Sequence, residues 1–217
     1  MKETSLTPLF LREGNNMEER AGLRIRVFGD PALRKRTSPV KAITEAHRNI
    51  LSRMSELMYA DAGVGLAAPQ LGINEAMIVA DIGAGLYKII NPKILKRSGS
   101  QVNQEGCLSL PGICVKVRRA NSIAVEALDE EGKKIKIDAE GLFACVLQHE
   151  IDHLKAKLII DYASFIEKLK IKNKLETLKQ RSRHEPRPSL RAGAEERKVG
   201  RGEGLPEPKD KSCRLQL

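Results

Sequence analysis

The sequence predicts an α+β fold in which antiparallel strands pack around a C-terminal metal-binding helix. Three observations carry this. A helix-period apolar stripe near residue 50 precedes a run of short apolar or alternating segments, and no β-α-β order recurs. Asp129-Glu130-Glu131-Gly132 separates two alternating runs and marks a hairpin. His149-Glu150-Ile151-Asp152-His153 reads H-E-x-x-H, and positions i and i+4 meet only on a helix.

Residues 1–22 read as a flexible N-terminal leader, with scattered charge around Gly14, Asn15 and Asn16; Met17 offers a second start. Leu23 to Val27 reads as a short strand. The turn Gly29-Asp30-Pro31 follows, with Asp30 placed to cap it. Thr44 is the expected N-cap of a helix running to Tyr59, with Ile50, Leu51, Met54, Leu57 and Met58 as its buried stripe. His47 precedes that stripe and is expected at the surface. Gly63-Val64-Gly65 should stop the helix. Ala76 to Asp81 and Leu86 to Ile90 read as buried strands, with Asn91-Pro92 as a turn. Ser122 to Leu128 and Lys133 to Ala139 alternate as strands. A helix from Gly141 to about Leu154 carries the metal motif. Asp161 to about Arg183 is a second, strongly basic helical stretch. From His184 the chain is rich in Pro, Gly, Arg and Glu, so 184–217 should be a disordered basic tail with no ligand and little core. Residues 23–183 then form the one catalytic domain.

Composition narrows the function. An apolar content of 41% sustains a core, but aromatics are 3% and Trp is absent, so that core is aliphatic. The formal charge of +10 fits an anionic partner such as RNA, or a solvated basic surface. No segment approaches the ~20 apolar residues of a membrane span. The first residues lack the apolar run of a secretory signal. The four cysteines form no C-x-x-C pair, which suggests free thiols and a cytoplasmic location. No glycine-rich phosphate loop follows a strand, so no nucleotide cofactor is expected.

The motif supplies the chemistry. His149 and His153 can share a metal ion, and Glu150 beside them can take a proton from activated water. A catalytic metal usually has three protein ligands. Asp161 lies eight residues past His153 and could be reached after a turn. Cys107, within Glu105-Gly106-Cys107-Leu108-Ser109, is the better third ligand, because Gly106 allows close backbone approach. Gly63-Val64-Gly65-Leu66-Ala67-Ala68-Pro69-Gln70 is a third block, in which the Gln70 amide can donate to an oxygen gaining charge. Leu142, Cys145 and Val146 share a helical face with His149. With Val64 they form either an apolar pocket for an unbranched side chain such as methionine, or ordinary core. Cys114 is expected to be structural.

In order, these blocks resemble the motifs G-x-G-L-A-A-x-Q, E-G-C-L-S and H-E-x-D-H of peptide deformylases. The resemblance runs from about Leu23 to Lys179 and includes Ile90-Asn91-Pro92. It implies an enzyme that removes the N-formyl group from the first methionine of nascent polypeptides and releases formate. It implies Cys107, His149 and His153 as metal ligands and Glu150 as general acid and base. Gln70 and the Leu108 N–H would stabilise the oxyanion, and Gly65 and Gly106 would contact an extended peptide. Glu105 would pair with Arg119 to brace the Cys107 loop, with Arg118 adjacent. The implied cofactor is one divalent ion, Fe(II) in cells, with Zn(II), Ni(II) or Co(II) also suited to the donor set. The basic C-terminal helix would dock on the ribosome. The alternatives are a zinc endopeptidase and a non-catalytic ribosome-binding relative.

Overall fold

The computed structural model describes residues 23–184 and Leu217. The leader, and the tail from residue 185 to 216, lie outside the described residues. The three helices are α1 (Glu45–Ala60), α2 (Gly141–Leu154) and α3 (Phe165–His184). The strands are β1 (Gly65–Ala67), β2 (Met77–Ala80), β3 (Tyr87–Ser98), β4 (Gln101–Glu105), β5 (Val115–Arg119), β6 (Ser122–Leu128) and β7 (Lys134–Glu140). One antiparallel sheet of five strands has the order β1-β2-β3-β6-β7; β4 and β5 form a separate two-stranded hairpin. This is the α+β arrangement that the sequence predicts.

Two helices sandwich the β1–β2 end of the sheet. Ile50, Leu51, Met54 and Met58 of α1 pack on one face with Leu66, Met77 and Val79. Ala144 to Leu147 and Ile151 of α2 pack on the other with Ala67, Ile78 and Ala80. Burial on both faces explains why Met77-Ile78-Val79-Ala80 is a continuous apolar run. β6 is covered on one face only, and its residues alternate accordingly. A third cluster joins Cys107, Val115 and Val117 of the hairpin region to Ile171, Leu175 and Leu178, which dock one side of α3.

Four expectations are corrected. Leu23 to Val27 forms no strand. Its neighbourhood is held by single bonds to two different segments, Arg26 N–H to Gln70 O at 2.6 Å and Phe28 N–H to Ser109 O at 2.9 Å, so no ladder forms. His47 is 2% exposed rather than superficial. Its Nδ1 accepts from the Thr44 N–H at the helix start (3.0 Å), and its Nε2 lies 3.3 Å from Glu75. The helix ends at Ala60 with Asp61 as its cap, before the glycines; Ala62 then takes φ 53° and the Gly63 N–H closes on Met58 O at 2.9 Å. Finally, Asn91-Pro92 is a bulge inside β3, not a turn. Asn91 takes φ 53°, and its side-chain amide grips residue 40 twice: it accepts from Val40 N–H (2.9 Å) and donates to Val40 O (2.8 Å). Pro92 has no N–H to give the ladder, so the irregularity falls where pairing is interrupted anyway.

Leu217 also departs from the expected loose tail. It is fully buried, in the same cluster as α2.

The Asn91 geometry yields a test. Asn91→Ala should cost about 2–3 kcal/mol, from two lost hydrogen bonds and a left-handed backbone without its usual residue. Asn91→Gly should recover about 1 kcal/mol of that loss, since glycine takes positive φ freely. Urea unfolding of the two variants checks the order; equal stabilities would show that backbone strain plays no part.

Candidate active site

The centre lies where the hairpin meets α2. β4 ends at Glu105, and the chain then turns tightly, with Leu110 N–H bonded to Cys107 O at 2.8 Å. That turn aims the Cys107 thiol at the buried face of α2. One helical turn separates His149 from His153, and both present Nε2 inward. Cys107 Sγ lies 3.2 Å from His153 Nε2, which lies 3.2 Å from His149 Nε2. The three donor atoms fall within 4.8 Å of one another. Ligands at about 2.0–2.3 Å around a tetrahedral ion sit about 3.3–3.6 Å apart, so the trio fits such an ion with little movement. Asp161, the other candidate third ligand, is instead engaged by Arg34 at 2.6 and 2.9 Å.

Tautomer and orientation are set from behind. His149 Nδ1 bonds Glu105 Oε2 at 2.9 Å, which leaves the Nε2 lone pair for a metal. Glu105 is fully buried and takes a two-point grip from Arg119, Nε to Oε1 at 2.7 Å and the second nitrogen to Oε2 at 2.8 Å. Burial pushes the Glu105 carboxyl up, but the hydrogen bonds from Arg119 and His149 outweigh it and hold the pKa at about 2. Arg118 is exposed, and its guanidinium reaches Ser100 rather than Glu105. The brace therefore uses Arg119. Arg119 in turn bonds Asp152, whose carboxylate also accepts from the Tyr162 hydroxyl at 2.6 Å. Asp152 and Tyr162 were not anticipated as part of this network. The signal for Asp152 was its place in the motif, on the same helical face as Cys145 and His149.

Glu150 is fully buried, and neither carboxylate oxygen has a hydrogen-bond partner among the described residues. Burial first, and then the charge of Glu105, raise its pKa well above the ordinary value. His153 is driven the other way, by burial first and then by its neighbour His149, so its ring is neutral, as coordination of a metal would require. Burial raises the Cys107 thiol, so a cation would have to draw off its proton. The Glu150 carboxylate occupies the space where a Cβ on Gly65 would stand, which gives that glycine a steric reason beyond peptide contact.

Gln70 is locked by one end. Its Oε1 accepts the Ala67 N–H at 2.8 Å, so Nε2 faces Cys107 Sγ at 3.7 Å and Ser109 Oγ at 3.2 Å. The Leu108 N–H points to Leu217 O at 2.9 Å, and Gly106 O faces the Leu217 N–H at 3.4 Å. The suggested pocket is divided. Cys145 and Val146 are fully buried, Val64 is half-buried beside them, and Leu142 is 40% exposed at the start of α2. The Cys145 thiol donates to Glu105 Oε1 at 3.2 Å. Cys107 and Cys145 carry free thiols; Cys114 is disulfide-bonded, so that expectation does not extend to it.

Residues 23–169 match the family model for polypeptide deformylase. The chain belongs to the peptide deformylase family. It is 47% identical over 141 residues to a peptide deformylase of Halothermothrix orenii, covering 64% of this chain and 92% of the relative. It is 43% identical over 165 residues to that of Alkalilimnicola ehrlichii, covering 74% and 93%. Among solved structures, the peptide deformylase of Legionella pneumophila aligns with TM-score 0.70 and 38% identity, over 76% of this chain and 99% of that one. The Thermus thermophilus enzyme aligns at 0.70 and 36%, over 73% and 98%. The chain is thus a deformylase, a hydrolase acting on formylated peptides.

The brace can be tested by which arginine matters. Arg119→Ala leaves the Glu105 carboxylate buried and unpaired and should cost about 3–5 kcal/mol. Arg118→Ala should stay within about 0.5 kcal/mol. Guanidinium unfolding of both variants measures this, and equal losses would remove Glu105–Arg119 from the account.

Proposed function

We propose that this deformylase hydrolyses the N-formyl group of amino-terminal methionine on nascent polypeptides, at a divalent ion held by Cys107, His149 and His153. The observation that carries the reading is the convergence of those three donors beside a buried carboxylate, Glu150, that has no hydrogen-bond partner among the described residues. When bound, the ion supplies Lewis acidity, which brings the pKa of a water toward neutral and polarises the formyl carbonyl. Glu150 takes the proton of the attacking water, and its burial, which raises its pKa above the ordinary carboxylate value, makes it a stronger base for that step. It then returns a proton to the departing amine. Gln70 Nε2 and the Leu108 N–H donate to the carbonyl oxygen as charge builds on it. Gly65 and Gly106 give the peptide backbone close approach, and Val64, Leu142, Cys145 and Val146 flank the methionine side chain.

The His₂Cys donor set accepts iron(II), zinc, nickel or cobalt, and iron(II) is the ion we assign in cells. No helix among the described residues is long and apolar enough to cross a membrane, and we place the enzyme in the cytoplasm, where nascent chains carry the substrate. Ribosome docking is assigned to α3. Its buried side faces the hairpin cluster, while Lys168, Lys170, Lys172, Lys174, Lys179, Arg181 and Arg183 are all exposed.

Formate release from formyl-Met-Ala-Ser, with anaerobically purified and metal-assayed protein, tests the activity. Glu150→Ala should retain metal yet lose about 10²–10⁴-fold in kcat, whereas Cys107→Ser should lose metal to a mild chelator. Unimpaired turnover by the first, or stoichiometric metal in the second, would contradict these roles. For α3, substituting four exposed lysines should weaken ribosome co-sedimentation and flatten its salt dependence. Unaltered sedimentation across salt concentrations would leave α3 a solvated basic face.

A further inference from the structure

Leu217 lies at the centre and has no part in the mechanism. Its side chain is fully buried among the residues that back α2, in the cluster that includes Ala67, Cys145 and Val146. Its backbone makes two bonds, and they fall on either side of Cys107. The Leu217 N–H donates to Gly106 O at 3.4 Å, and its carbonyl accepts from the Leu108 N–H at 2.9 Å. That is how one residue of an added strand pairs with an edge. The same Leu108 N–H is assigned above to the reacting oxygen, so Leu217 and a substrate cannot both hold it.

We propose that Leu217 is an intramolecular occupant of the peptide groove, which makes this deformylase self-restrained by its own chain. The inference rests on the assignment of Leu108 and Gly106 to substrate. Leucine and methionine are close in volume and exchange readily in apolar sites, so a pocket suited to the first methionine also accepts Leu217. Thirty-three positions separate His184 from Leu217. At about 3.3–3.6 Å per residue, that tether is long enough to reach the groove from the end of α3. A tethered segment competes at an effective concentration on the order of millimolar, so weak intrinsic affinity is enough to keep the groove largely filled. A nascent peptide would displace it. The ligand class is a short extended segment bearing an unbranched or γ-branched apolar residue, bound by backbone pairing and side-chain burial.

The test uses the full chain and Leu217→Asp, which would bring an unpaired charge into an apolar site. If Leu217 fills the groove nine-tenths of the time, the substitution lowers KM for formyl-Met-Ala-Ser about tenfold and leaves kcat unchanged. A second readout does not depend on turnover. A fluorescein-labelled Arg214-Leu215-Gln216-Leu217 amide, which carries no thiol or free carboxylate for a metal, is titrated into metal-loaded protein and followed by anisotropy. It should bind the Leu217→Asp chain about tenfold more tightly than the unaltered chain, and formyl-Met-Ala-Ser should displace it. Equal peptide affinity for the two chains, or equal KM, overturns the proposal. Absence of formate release from both metal-loaded chains would count against the deformylase mechanism instead, and the peptide titration would still decide the docking.

Discussion

The buried carboxylate of Glu105 is the interaction on which the centre depends. It receives Arg119 at two points, the Nδ1 side of His149 at 2.9 Å and the Cys145 thiol at 3.2 Å. A fully buried charge is tolerable only with such a complement of donors, and removing any one leaves a costly residue behind. The same bonds have a chemical consequence. They direct His149 Nε2 toward His153 and Cys107, and they anchor the end of β4 two residues before Cys107. One group therefore ties the two separate elements that supply the three donor atoms, the hairpin region and α2. Arg119 extends the tie to Asp152 and Tyr162, so α2 is fastened near both ends of the His149–His153 turn.

The sheet explains why Glu150 can be so deeply placed. β1 runs against α2, and only a glycine at position 65 leaves volume for the Glu150 carboxylate. The sheet covers one side of α2. Of its polar side chains, His149, Glu150 and His153 lie at the centre, Asp152 bonds Arg119, and Gln148 instead ties the helix to the Ala120 backbone. Gln70 belongs to the same design: the Ala67 N–H fixes its amide so that the donor end faces the thiol.

Much of this was legible because the informative residues are close together in sequence. The H-E-x-x-H spacing defines a helical face, and the strands from Ser122 to Leu128 and from Lys134 to Glu140 alternate cleanly because one face meets the core. The family match from 23 to 169 agrees with the span over which the motifs resemble peptide deformylases. Less was legible where long-range contacts override local pattern. β4, Gln-Val-Asn-Gln-Glu, is mostly polar and forms a strand because β5 pairs with it. His47 is buried, with Nδ1 on the Thr44 N–H and Nε2 3.3 Å from Glu75, and a lone histidine ahead of an apolar stripe gives no sign of that. Asn91-Pro92 carries a turn signal, but the same left-handed asparagine also serves a bulge. Leu217 lies far in sequence from everything that surrounds it.

Because Glu105 joins the fold to the donor trio, metal affinity of a Glu105→Gln variant is the most direct measurement. The amide keeps the shape but loses the charge that orients and strengthens His149. Chelator competition with zinc, on variant protein shown by circular dichroism to be folded, should give an affinity about 10–100-fold below that of the unaltered chain. A folded variant that binds zinc as tightly as the unaltered chain would contradict the central role given to this carboxylate.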